Sequence, residues 1–140
     1  MNAKIRKMLH YPICGLDYIY LEDVPIRRSK HGDVIEVDIA VVEQAIAREI
    51  IRHGIPLRGA EIQFLRKCLG MSLGKFGRIL GLSAPAILKW ERMQKKRLQP
   101  INEVAVKAMI AEQLDIDLEG KFTLLKGLDK APERLSLRVA

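Results

Sequence analysis

The stretch Gly70–Arg92, GMSLGKFGRILGLSAPAILKWER, decides how this chain folds, because it combines four glycines with a regular apolar pattern. Its GMSLGK portion raises the alternative of a phosphate-binding loop. A Walker-type loop needs four residues between its first glycine and the Gly-Lys pair, and then a Ser or Thr to hold magnesium. Here three residues separate Gly70 from Gly74, and Phe76 stands where the hydroxyl is required. We therefore reject a nucleotide-binding loop.

Two short helices joined by a tight turn account for the same residues. Gly77 supplies the small residue that is needed where the second helix crosses the first, and Gly81 supplies the positive φ of the turn. Apolar residues fall at the spacing of a buried face: Phe76, Leu80, Leu82, Ile87 and Trp90. The stretch therefore predicts a helix-turn-helix unit.

Serines mark the start of both helices. Ser72 is placed to cap a helix that ends at Leu80, and Ser83 to cap a helix that ends at Arg92, each contributing about 1 kcal/mol. Pro85 is compatible with the second helix because it falls in the first turn. The N-termini of these helices also suit phosphate oxygens, so Ser72 and Ser83 are candidate DNA contacts.

The remaining chain predicts a mainly α fold with a small N-terminal β-hairpin, which belongs to the α+β class. Residues 17–37 alternate apolar and polar around a Lys-His-Gly-Asp turn, which indicates two or three short antiparallel strands. Periodicity and capping residues predict helices over Ile39–His53, Arg58–Leu69 and Asn102–Leu114. Two later segments, Phe122–Leu125 and Leu135–Val139, alternate as strands do.

Gly54 and Pro56 interrupt the chain and suggest a domain boundary. We expect an N-terminal hairpin-plus-helix module over 1–54, a five-helix-type helix-turn-helix domain over 55–114, and a C-terminal extension, with strand character, over 115–140. The Ile39–Ile51 helix is apolar on more than one face. We expect this helix to form a homodimer, with Leu135–Val139 adding a strand across the subunits. Burial of the helix against the hairpin is the alternative.

The charge points to a polyanionic partner. The formal net charge is +7 and the isoelectric point is near 9.6, which favours nucleic acid. The strongest cluster directly follows the second helix and is offset by Glu91 alone: Lys89, Arg92, Lys95, Lys96 and Arg97. Such side chains would displace counterions from a phosphate backbone. A solvated basic loop is the alternative.

The sequence from Leu57 to about Gln113 resembles the Cro and phage-repressor class of helix-turn-helix proteins, the Xre family. The residues that carry the resemblance are the Leu65-Arg66 pair, Gly77, Gly81 and the Trp90-Glu91 pair. It implies a sequence-specific DNA-binding transcriptional regulator, a dimeric repressor that places one recognition helix in each operator half-site. It also implies that Arg66 and Glu91 form an ion pair; the alternative is two separate surface charges.

The resemblance places base reading at Ala84, Pro85 and Lys89, of which only Lys89 carries a hydrogen-bond donor. Arg92, Lys95, Lys96 and Arg97 would then contact phosphate. Leu73 departs from the polar residue with which the family often begins its second helix. These departures favour a rival function, a protein-interaction module that keeps the helix-turn-helix shape and no longer reads bases.

The flanking segments resemble the MqsA-type antitoxins, through a CGLDYIYL opening, a hairpin, a helix and LRGAEIQFLRK. This resemblance implies a second function, in which the N-terminal module binds a toxin of a type II toxin–antitoxin pair. Typical members hold zinc through two Cys-x-x-Cys pairs, whereas this chain has one cysteine there, Cys14. We expect no metal or other cofactor, and we expect His10, Cys14 and His31 to be unliganded.

Other classes of function find little support. No nucleophile–base pair, carboxylate pair or metal cluster has a recognisable spacing, so we expect no enzyme. The basic residues 1–7 are followed by HYPICGLDY, which is not the apolar core of a signal peptide. No uncharged apolar run approaches the roughly 18–20 residues that a membrane span needs. We therefore expect a cytoplasmic protein with no membrane partner.

Overall fold

The computed structural model describes residues 4–12, 15–118 and 125–138, and shows a mixed α/β fold. Helices occupy most of the middle of the chain, and strands lie near both of its ends. In chain order the elements are β1 (Lys4–His10), β2 (Ile19–Ser29), β3 (Gly32–Ile35), α1 (Ile39–Arg52), α2 (Gly59–Cys68), α3 (Leu73–Leu80), α4 (Ala84–Arg92), α5 (Pro100–Gln113) and β4 (Leu135–Arg138). In this described part, no helix has the length and apolarity to cross a membrane.

The chain divides into two compact units. The first comprises Met1–Ile46 with Pro132–Ala140, and the second comprises Ala47–Ala131. The division therefore falls inside α1, whereas the sequence suggested a boundary at Gly54. Gly54 does end α1, with a left-handed φ of 62°. However, its carbonyl accepts a 2.8 Å hydrogen bond from the amide of Leu128, which ties this turn into the second unit.

The first unit contains a sheet built on β2. β1 pairs with β2 antiparallel, β3 pairs antiparallel with the far end of β2, and β4 pairs parallel with its beginning. The predicted hairpin is present as β2 and β3, although β2 is 11 residues long rather than short. β1 was not predicted. The registers include Leu9 with Leu21, Ile26 with Ile35, and Ile19 with Leu135.

β4 forms where the sequence predicted a strand, but its partner differs. We expected Leu135–Val139 to pair across subunits; instead Leu135–Arg138 pairs with β2 of the same chain, and Leu135 and Leu137 are buried there. Their burial supplies the physical reason, since a strand with a covered apolar face is stabilised inside its own sheet. Val139 lies outside the described residues. So does most of the strand predicted over Phe122–Leu125, and its one described residue, Leu125, is helical.

α1 is covered more fully than the sequence suggested. Its apolar side chains Val42, Ile46, Ile50 and Ile51 are buried within the chain. Among its large apolar residues, those that stay exposed are at the start of the helix, Ile39 at 45% and Val41 at 57%. Most of the apolar surface that we assigned to a homodimer is therefore used internally, and the exposed large apolar side chains of α1 are limited to its first turn.

The second unit contains α2 to α5, whose ends lie close to those predicted. α2 runs from Gly59 to Cys68, within one residue of the prediction at each end. α5 begins two residues earlier than predicted, at Pro100, because proline is well tolerated in a first turn. The core of this unit is apolar and close to fully buried: Ile62, Leu65, Phe76, Ile87, Val106 and Ile110.

Candidate nucleic-acid interface

α3 and α4 are joined by a short turn at the positions that the glycines predicted; we call these residues, Ser72–Arg92, the α3–turn–α4 unit. Ser72 caps α3, and its hydroxyl oxygen accepts a 3.1 Å hydrogen bond from the amide of Lys75. Ser83 caps α4 and accepts a 3.3 Å bond from the amide of Ala86. Gly81 ends α3 with a left-handed φ of 74°. Both caps and the glycine turn are therefore confirmed.

Gly77 permits the close approach of the two helices. A Cβ atom at this position would lie 2.6 Å from the carbonyl oxygen of Leu82 and 3.2 Å from a side-chain carbon of Ile87. The first separation is shorter than real Cβ atoms tolerate, and the backbone atom cannot swing away. Gly74, in the same helix, is different, since its Cβ would meet only the Ser72 hydroxyl at 4.0 Å. Of the two glycines inside α3, packing therefore requires Gly77 and not Gly74.

The C-terminal end of α4 is fixed to α2 by the expected ion pair. Arg66 donates to both carboxylate oxygens of Glu91, from Nε at 2.6 Å and from Nη2 at 2.9 Å. The side chains are 13% and 5% exposed, so water screens the pair little. The hydrogen bond to Glu91 raises the pKa of the Arg66 guanidinium further. A third bond, from Nη1 to the carbonyl of Met71 at 2.9 Å, holds the chain before α3.

The start of α2 contains a set of hydrogen bonds between Arg58 and Glu61 that the sequence did not lead us to predict. Arg58 donates to both oxygens of Glu61, from Nε at 2.8 Å and from Nη2 at 2.6 Å, while its backbone amide donates to the same carboxylate. The next residue, Gly59, has no room for a side chain, because a Cβ atom would lie 2.6 Å from the carbonyl oxygen of Met93. The available signal was a glutamate three residues after the helix cap, as in a capping box.

The surface of this region is strongly cationic. Between residues 62 and 102 the chain has nine Lys and Arg side chains and a single carboxylate, Glu91, a net charge of +8 against +7 for the whole chain. The carboxylate is buried against Arg66. The exposed cations are Lys67, Lys75, Arg78, Lys89, Arg92, Lys95 and Lys96. The solvent face of this region therefore presents positive charge with no acidic residue from the same stretch.

α4 presents one face to solvent and one to the core. Ile87 and Glu91 are buried, whereas Pro85, Lys89 and Arg92 are exposed. The exposed residues are spaced by four and three positions, so they share one face of the helix. Ala84, at the first position of α4, is partly exposed. Lys95 and Lys96 follow in an exposed loop. The predicted contact residues of the helix and its loop are thus accessible together, with one exception.

The exception is Arg97, whose predicted role as a phosphate contact does not match its surroundings. Its guanidinium donates to both carboxylate oxygens of Glu103, from Nε at 2.9 Å and from Nη2 at 2.8 Å. It also donates to the carbonyl of Asp129 at 3.1 Å and to that of Lys126 at 3.2 Å. Arg97 braces the loop against α5 and the segment that follows it. We therefore remove it from the candidate interface.

Glu103 stands at the centre of a buried polar cluster. It accepts hydrogen bonds from the amide of Leu57 at 2.7 Å and from Lys107 Nζ at 3.3 Å, and both charged side chains are at most 1% exposed. Burial tends to raise the pKa of the Glu103 carboxyl, but the bonds from Arg97 and Leu57 and the charge of Lys107 outweigh it and leave that pKa below its ordinary value. Burial lowers the pKa of Lys107. The cluster connects α5 to the segment before α2 and to the loop that carries Arg97.

The residues considered for a metal site have other surroundings. His10 Nε2 lies 2.6 Å from the carbonyl oxygen of Asp17, and its ring stacks on Tyr20 with a centroid separation of 4.7 Å. His31 is exposed in the turn between β2 and β3. Cys14 lies outside the described residues. Within the ranges that the structure describes, no three His, Cys, Asp or Glu side chains are grouped as metal ligands.

Neither a protein-family model, nor a curated protein, nor a solved structure matches this chain. What points to a function is therefore its own geometry and charge. The second unit contains a capped two-helix element, an exposed face of α4 and an exposed basic loop, together with a buried ionic cluster at Glu103.

Proposed function

We propose that this protein is a sequence-specific DNA-binding transcriptional regulator, in which α4 is the recognition helix of the α3–turn–α4 unit. The observation that carries the proposal is the +8 charge of residues 62–102, whose one carboxylate is buried by Arg66. Cations that neutralise phosphates release condensed counterions, and this release drives association with DNA. A short helix exposed along one face also suits the major groove.

The accessible residues divide into two roles. Lys89 lies on the exposed face of α4 and carries the donor that a guanine edge accepts, so we assign it to base reading. Arg92, Lys95 and Lys96 are assigned to phosphate. The backbone amides at the helix N-termini, beside Ser72 and Ser83, would also bind phosphate oxygens of the DNA. Ala84 and Pro85 offer apolar contact to a thymine methyl group.

We further propose that the regulator acts in the cytoplasm as a dimeric repressor. Two recognition helices would then meet half-sites about 34 Å apart. The first turn of α1, with Ile39 and Val41 exposed, is the apolar surface that supports a homodimer contact. The antitoxin function that the MqsA resemblance implies stays a prediction, which a neighbouring reading frame for a toxin would support.

The rival function is an interaction module with the same shape and no base reading. It is favoured by Ala84 and Pro85, which place side chains without donors at the start of α4, where a recognition helix usually reads bases. The exposed basic loop opposes it, because its cations are the side chains that a phosphate backbone would bind.

The test compares two duplexes at two salt concentrations. One duplex comes from the region upstream of the protein's own reading frame, and the other is a shuffled sequence of equal composition. We expect a preference of at least about tenfold for the first, and a loss of affinity for both between about 50 and 200 mM salt. Equal affinity for both would favour the rival function. No binding to either would exclude DNA as the partner.

A further inference from the structure

A cavity of about 180 Å³ lies beside the exposed face of α4, between that helix, the basic loop and the start of α5. Its apolar lining comes from Trp90, Met93 and Leu98. Its polar lining comes from Lys89, Lys96, Arg97, Gln99 and Asn102, and none of the described residues that line it is acidic. The cavity therefore combines one aromatic side chain with three basic residues, of which Arg97 is already paired with Glu103 and the two lysines are not.

The size and chemistry of the cavity restrict what it can hold. An engineered apolar cavity of about 150 Å³ accommodates benzene, so this cavity has room for one aromatic ring. A neutral ring would gain nothing from the positive charges of Lys89 and Lys96. An inorganic anion would leave the Trp90 and Leu98 surfaces in contact with water. A ring that carries a carboxylate satisfies both halves of the lining, because the aromatic group packs on Trp90 and the carboxylate attracts the two lysines.

We propose that this cavity binds a small aromatic carboxylate and that its occupation weakens DNA binding. The second half of the proposal rests on the proposed function, because Lys89 and Lys96 are also assigned to DNA. A carboxylate that engages these ammonium groups removes a base contact and a phosphate contact at once. The site would therefore make the regulator responsive to an aromatic acid.

Trp90 gives the first half a direct test that needs no DNA. It is the only tryptophan of the chain, so the protein has a single indole N–H signal in a nitrogen-15 correlation spectrum. We expect benzoate to shift that signal with a saturable curve and a dissociation constant of about 1 mM, as suits a ligand of this size. Benzamide has the ring without the carboxylate, and acetate has the carboxylate without the ring. At equal ionic strength, each should bind at least about fivefold more weakly than benzoate.

Matched variants locate the site. Lys96→Gln and Lys89→Gln should each weaken benzoate binding about two- to fivefold, since each removes one exposed cation from the lining. Lys75→Gln, which removes an exposed cation that does not line the cavity, should leave it unchanged. Circular dichroism checks that the variants are folded. An indole signal that does not move, or equal effects of all three variants, would overturn the proposal.

Measuring DNA binding with and without benzoate distinguishes a failure of this proposal from a failure of the proposed function. If the protein binds its upstream duplex, saturating benzoate should reduce the affinity, and acetate at equal ionic strength should not. DNA binding that is insensitive to bound benzoate overturns the regulatory half only. Absence of DNA binding together with a saturable indole shift would overturn the proposed function and support the ligand site.

Discussion

The guanidinium of Arg66 holds the carboxylate of Glu91 through two hydrogen bonds, at 2.6 and 2.9 Å, across 25 residues of sequence. This pair attaches the C-terminal end of α4 to α2, so the exposed face of α4 cannot rotate without breaking it. It also removes from the surface the one carboxylate between residues 62 and 102. The contact between Arg66 and Glu91 therefore fixes α4 to α2 and also leaves the exposed surface of residues 62–102 without a carboxylate from that stretch.

Replacing Glu91 with glutamine should destabilise the fold by about 3 kcal/mol, because Arg66 is left largely buried without a counter-charge. The free energy of unfolding, measured by urea denaturation, gives this value. The control is Glu112→Gln, which removes an exposed carboxylate on α5 and should change stability by less than about 0.5 kcal/mol. A Glu91 variant as stable as the control would show that the pair contributes nothing to the fold.

The two glycines inside α3 should respond to alanine in opposite directions. Gly77→Ala should destabilise by about 1–3 kcal/mol, because its Cβ would press on the Leu82 carbonyl oxygen. Gly74→Ala should stabilise by up to about 1 kcal/mol, because the site has room and alanine favours the helix. Thermal unfolding of the two variants measures both effects. The account of the helix crossing is wrong if Gly77→Ala is neutral.

The stability that Glu103 contributes should depend on pH. Because the pKa of its carboxyl is lower in the folded protein than its ordinary value of 4.5, the unfolded chain binds protons first as the pH falls. The contribution is therefore complete above about pH 4.5 and is lost progressively below it. Glu103→Gln should destabilise by about 3 kcal/mol at neutral pH, and less in acid.

Urea denaturation of both proteins at about pH 7 and about pH 3 measures this change. The double variant Glu103→Gln with Lys107→Met should recover part of the loss, because it also removes the buried ammonium group. A difference between wild type and Glu103→Gln that is constant with pH would mean that the carboxylate charge is not what stabilises the cluster.

Lys89 and Lys96 should differ in how they affect DNA binding. Lys89→Ala should cost about 1–3 kcal/mol on the preferred duplex and relax preference at one base pair per half-site. Lys96→Ala should weaken all duplexes alike and reduce the slope of log affinity against log salt by about one. Fluorescence anisotropy at several salt concentrations distinguishes them. Equal loss on preferred and shuffled DNA would reassign Lys89 to phosphate, and specificity would then depend on DNA shape.

Local signals made much of the second unit predictable. The Ser72 and Ser83 caps, the positive φ of Gly81 and the small residue at Gly77 each depend on a few neighbouring positions. The Arg66–Glu91 pair is not local, and its prediction came from the resemblance to the Xre family rather than from the residues around it. Trp90 was expected in the core and is half-buried at the cavity, since periodicity shows which side faces inward and not how deep it lies.

The features that the sequence did not predict correctly depend on contacts between distant segments of the chain. β1, KIRKMLH, shows no strict alternation, and it becomes a strand because β2 pairs with it. The partner of β4 lies near the other end of the chain, and nothing within LSLR indicates it. Arg97 reads as part of a cationic run, yet Glu103 in the next helix binds it. The sequence shows that a side chain is charged, and the fold determines whether that charge is free to bind DNA.

The most direct test of the central claim reverses one charge at a time. Lys89→Glu and Lys30→Glu each change an exposed lysine and lower the net charge by the same two units, but Lys30 lies in the turn between β2 and β3. We predict that Lys89→Glu weakens binding to the upstream duplex by at least about tenfold, while Lys30→Glu stays within about twofold of wild type. Equal losses for the two variants would contradict the assignment of the α3–turn–α4 unit as the DNA-binding surface.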